Sequence, residues 1–157
     1  MPLLPVYAER MGASAIMVGV YLAVTYLAIA IGAFSAGWIS GTRLHRKIPL
    51  FSIYIFSAPL AWMMGRVDHL WALTLLTAFL WFFAGMGFAL IMILTGMSVG
   101  EDERGKIFGI LALTSGLGAV IGGFGTGWLV RNWGYPLMFN VVALTLLLGP
   151  FAALFLE

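Results

Sequence analysis

Few side chains in this sequence can exchange a proton, hold a metal or carry charge, and those few do not cluster. The 157 residues hold two histidines, six acidic and eight basic side chains, and no cysteine. Acid–base hydrolysis needs a proton acceptor within reach of a nucleophile or water. A zinc site needs three or four convergent His, Cys or carboxylate ligands. His45 lies among basic residues and His69 beside Asp68, in separate charged segments without a partner cluster. Lack of cysteine removes disulfides, thiol nucleophiles and Cys-bound metals. The sequence argues against an enzyme and implies no cofactor and no metal. What remains is electrostatic. Arg43, Arg46 and Lys47 form a basic segment, and Glu101, Asp102, Glu103, Arg104 and Lys106 a mixed one. Ion pairs between two such segments can bias one conformation over another, by about 0–1 kcal/mol each where exposed.

The elements that must position these charges are apolar. Residues 12–42, 48–65, 70–100, 107–130 and 132–156 contain no Asp, Glu, Lys or Arg. A helix needs about 20 apolar residues to cross a bilayer core of about 30 Å, and each stretch reaches or approaches that length. The chain is 62% hydrophobic and 9% charged, whereas a soluble domain carries about 25% charged residues. Its solvent is therefore lipid. The spacing predicts one all-α, polytopic transmembrane bundle with five helices near 13–40, 49–66, 70–99, 105–130 and 135–156. The net charge of +2 belongs to the loops and carries no implication of nucleic-acid binding.

Loop charges orient the bundle. Arg43, Arg46, Lys47, Arg104 and Lys106 fall on one side, and Arg10, Arg66 and Arg131 on the other. The positive-inside rule makes the first side cytoplasmic, which places the N-terminus outside and the C-terminus inside. Five crossings from an outside N-terminus without a signal peptide imply a sixth helix upstream, ending at the PLLP of residues 2–5. Trp71, Trp128, Trp133 and Tyr135 fall at outer helix ends and Trp38 near an inner one, as interfacial anchors do.

Helices in lipid associate through close packing at small residues. The fourth helix carries Gly105, Gly109, Ala112, Gly116, Ala119, Gly123 and Gly127 along one stripe and Gly118, Gly122 and Gly125 along another. The first has a shorter stripe at Ala30, Ala33, Gly37 and Gly41. No helix carries an ionisable group at midplane depth, the usual place of an ion coupler. Candidate cavity-lining residues are uncharged: Tyr21, Thr25 and Tyr26, then Trp81 and Met86, then Thr114 and Ser115. Met and aromatic side chains adapt to varied apolar ligands.

Four places resemble one six-helix repeat of the major facilitator superfamily of secondary transporters. PLLP at 2–5, followed by Tyr7, Glu9 and residues 12–14, is similar to the outer end of the family's first helix. GWISGTRLHRK at 37–47 matches the family's loop signature at Gly37, Arg46 and Lys47. It departs from that signature at Gly41, Thr42 and Leu44. EDERGKIFG at 101–109 resembles the next cytoplasmic loop, and GAVIGG at 118–123 the exporter-associated Gly-Pro-x-x-Gly-Gly, with Ala119 in place of Pro. The family's arginine at the third-to-fourth helix position would fall near Trp81, where this chain has none.

The resemblance implies part of a secondary active transporter moving a small solute by alternating access, with an exporter suggested by GAVIGG. It implies an integral protein of the cell membrane that works with a second six-helix half, in the same chain or a separate one. A gating role then falls to Gly37, Gly41, Arg43, Arg46, Lys47, Glu101, Asp102 and Arg104, with the acids pairing to Arg43 or Arg46 in the outward-facing state. The alternative is a non-transporting remnant, or a half that acts only once paired. PLLP and GAVIGG point to the first repeat; the eroded loop signature and the missing arginine point to the second.

Overall fold

The computed structural model describes residues 3–40 and 47–154, with side chains at 3–40, 49 and 51–149. Every regular element within them is helical. A short helix α1 (Leu3–Arg10) precedes α2 (Ala15–Ser40), α3 (Lys47–Met64) and α4 (Leu70–Ser98). A 3-10 turn at Glu101–Glu103 then leads into α5 (Arg104–Leu154). Helices α2 and α4 and the segment Glu101–Gly149 are long and apolar enough to cross a membrane. At 18 residues and about 1.5 Å per residue, α3 also comes close to the core thickness.

The junctions follow from local chemistry. Gly12 sits at φ 86°, and the Ala13 N–H donates to Ala8 O while the Gly12 N–H donates to Glu9 O. This is the glycine-terminated cap that satisfies the last carbonyls of a helix. Ser14 starts α2 by accepting the Met17 N–H on its Oγ at 3.3 Å. The acids of the 3-10 turn stand at the N-terminal end of α5, where the helix dipole favours negative charge.

At 51 residues α5 would be far longer than the bilayer core if straight. It is not straight. Gly134 adopts φ 80°, ψ 177°, and the arm 135–154 returns beside the arm 104–133. Gly122 and Thr126 of the first arm share a cleft with Val141 and Thr145 of the second.

Packing is lopsided. Helix α2 lies chiefly against α4, and α3 against α4 and α5. Its α5 neighbour is the second arm, since Gly65 touches Pro136 and Phe139 and Tyr54 abuts Gly149. One core, at the Gly134 end, joins Leu4, Tyr21, Met64, Leu73, Met138 and Phe139. A smaller one, toward the other end, joins Ala36, Ile53, Met86 and Leu90. Tyr135, expected as an interfacial anchor, instead lies in the larger core, stacked on Tyr7 at 4.3 Å with the Arg10 guanidinium 5.3 Å from its ring. Burying that ring ties α1 to α5. Trp128 and Trp133 do face outward, edge to face at 4.7 Å.

Candidate functional site

The charged loop comes first. Gly41, Arg43 and Arg46 lie outside the described residues, as does the side chain of Lys47, whose backbone opens α3. Gly37 is exposed near the end of α2 with nothing beside its Cα. Glu101 and Asp102 are exposed in the 3-10 turn, and Arg104 donates from Nε to the Val99 carbonyl at 3.4 Å. The acids therefore present themselves freely at the mouth of α5. The partners expected for them, Arg43 and Arg46, belong to the part not described.

The lining candidates separate into three places. Tyr21 and Thr25 are buried between α2 and α4. The Tyr21 hydroxyl donates to Thr77 Oγ1 at 3.0 Å, Thr77 donates to Leu73 O, and Thr25 donates to Tyr21 O. The Tyr21–Thr77 bond fastens two helices, and Met86 packs between helices in the smaller core. Tyr26, one residue past Thr25, is 68% exposed on another face of α2. Thr114 and Ser115 stand exposed on the first arm of α5, each donating to its own helix at Ile110 O and Leu111 O.

Trp81 borders a cavity. About 340 Å³ of space lies between α3, α4 and the second arm, lined by Tyr54, Ser57, Trp81, Phe83, Phe88 and Ile91 among others. The indole Nε1 of Trp81 is buried and meets no acceptor among the described residues. An apolar space of this size with one or two polar groups is the usual form of a small-molecule site.

The glycines divide in the same way. A Cβ on Gly32 would strike the Phe82 carbonyl oxygen, and one on Gly85 the Ile29 carbonyl oxygen. This reciprocal pair sets the α2–α4 crossing, and the sequence stripes did not include it. A signal was present, since Gly32 lies three or four residues from Ile29 and Ala36 on the face that also holds Tyr21 and Thr25. By contrast a Cβ on Gly116, Gly118, Gly122 or Gly123 would meet nothing within 4 Å among the described residues. The arm that carries them is exposed along most of its length, with Phe124 at 78%.

No His, Cys, Asp or Glu group able to hold a metal occurs among the described residues. The runs 15–40, 51–64, 70–98, 107–130 and 135–149 carry no formal charge, and Tyr21 to Thr77 is a polar bond that crosses between α2 and α4. Such an interior can bind an apolar solute.

Comparison with known proteins agrees with this architecture. Multidrug resistance protein MdtG of Klebsiella pneumoniae (strain 342) is 27% identical over 161 residues, covering 99% of this chain and 39% of that protein. The chain thus spans about two-fifths of the length of that relative. No solved structure matches it. The sequence profile of the Major Facilitator Superfamily matches residues 1–157, and with an all-helical membrane fold beneath that match, the chain belongs to the major facilitator superfamily.

Proposed function

We propose that the chain is one half of a secondary active transporter that moves a small lipophilic solute across the cell membrane by alternating access, in the export direction. The observation that carries this reading is the exposed face of the first arm of α5, where a Cβ on Gly116, Gly118, Gly122 or Gly123 would meet nothing within 4 Å among the described residues. Within a family built of two repeats around a midplane site, such a smooth helix suits contact with a second six-helix half. The 340 Å³ cavity beside Trp81 suits an apolar solute with a single acceptor for the indole N–H. Coupling charge is to be supplied by the other half or by another segment, since the apolar runs 15–40, 51–64, 70–98, 107–130 and 135–149 carry none. The C-terminus is assigned to the cytoplasm from the loop charges.

Export is tested by accumulation of a lipophilic fluorescent dye in cells producing the chain. Lower accumulation than in control cells, restored by Gly122→Leu at equal membrane abundance, supports transport through a paired arm. Unchanged accumulation at confirmed insertion favours the second reading, a half that is inert until paired.

A further inference from the structure

The seam between α3 and the second arm of α5 has two flanks. One is the Trp81 cavity. The other is an open groove of about 480 Å³ lined by Ala58, Pro59, Trp62, Asn140, Ala143, Leu144 and Leu147. It runs from Asn140 to Leu147, two helical turns or about 10 Å, and its walls are apolar except at one end.

At that end stands Arg66. Its Nη1 donates to the Trp62 carbonyl at 2.8 Å and to Asn140 Oδ1 at 3.0 Å, and its guanidinium lies 3.7 Å from the centre of the Trp62 ring. All of these partners are neutral. Asp68, two residues on, bears electrostatically on Tyr7, and no acidic side chain of the described residues pairs with Arg66. The cation is thus held in a fixed plane, exposed and uncompensated, with Nε and Nη2 still available. A guanidinium in this state offers a fork that fits phosphate oxygens.

We propose that this groove binds an anionic phospholipid, its phosphodiester on Arg66 and one acyl chain along Pro59, Ala143, Leu144 and Leu147. Charge complementarity selects the headgroup. The membrane setting supplies the chain, since exposed Trp62 and Arg66 sit at a helix end, where indole rings and arginines meet the headgroup layer. Pro59 inside α3 places a ring without an N–H against the groove. The exposed Leu144 and Leu147 are then covered by an acyl chain.

The test is lipid retention by the purified full chain in native mass spectrometry, with phosphatidylglycerol, phosphatidylcholine and diacylglycerol as probes. Phosphatidylglycerol should be retained over phosphatidylcholine by about fivefold, the factor one basic side chain contributes at an anionic surface, and diacylglycerol least of all. Arg66→Gln should bring the two phospholipids to parity and Arg66→Lys should keep the preference. Arg10→Gln, at the same end but outside the groove, should change nothing. Leu144→Trp fills the groove from an exposed position and should lower retention of both phospholipids, which keeps the test open if Arg66→Gln loses helicity. Equal retention by the wild-type chain overturns the proposal. So does a preference that survives Arg66→Gln, or a dimer abolished by Leu144→Trp, which would show a second copy in the groove.

Discussion

The Tyr21–Thr77 bond shows how little one polar contact contributes in lipid, and where it contributes most. Its hydroxyls are buried between two helices, and interhelical bonds of this kind average about 0.6 kcal/mol in membranes. Tyr21→Phe removes the donor but leaves Thr77 bonded to Leu73 O. It should cost about 0.6 kcal/mol in a micelle unfolding titration. Thr77→Val should cost more, about 1–3 kcal/mol, because the Tyr21 hydroxyl is then buried without an acceptor. The reverse order would show that the hydroxyl finds another partner. Sequence reading selected Tyr21 and Thr25 for their polarity in an apolar helix and assigned them to a cavity. The sequence does not say that a hydroxyl in lipid has already been claimed by a threonine on another helix.

Glycine carries the corresponding lesson at the scale of elements. Gly32 and Gly85 face backbone carbonyls across the α2–α4 crossing, and backbone cannot swing aside. Gly32→Val or Gly85→Val should therefore destabilise the chain by about 1–3 kcal/mol or more, read as a fall in thermal midpoint in detergent. Gly118→Ala and Gly122→Ala, with nothing near them, should leave the isolated chain unchanged or raise its stability by up to about 1 kcal/mol. Gly134 is a third kind. Its backbone angles fall in a region open essentially to glycine, so Gly134→Ala should cost about 1–3 kcal/mol and loosen the second arm, seen as faster proteolysis near residue 134. The density of glycine on the fourth predicted helix was plain in the sequence. Which glycines touch anything was not, because a stripe specifies a smooth face and not its neighbour.

For the whole molecule, loop charge is the determinant that remains to be measured. A chain without cysteine is suited to single-cysteine mapping. If the charge asymmetry orients it, Glu101→Cys should react with a membrane-impermeant maleimide only after the cytoplasmic side is opened, and Asn132→Cys should react from outside in intact cells. Labelling of both from one side would mean that the first arm of α5 does not span. That result would also remove the proposed pairing of the first arm with a second half.

The sequence by itself determined that the chain is helical and lives in lipid, since long uncharged runs admit only structures that satisfy their backbone internally. It also marked the apolar spans, because charge is too costly inside them, and the motif order that resembles the superfamily. Tertiary structure decided the rest. It drew Tyr135 into the core, fixed α2 on α4 through Gly32 and Gly85, and left the glycine-rich face of the first arm exposed. It also set Arg66 against Asn140 at the head of an apolar groove. In lipid, apolar faces look alike from sequence, and only the approach of two backbones, which depends on every other contact in the bundle, distinguishes a packed face from an open one.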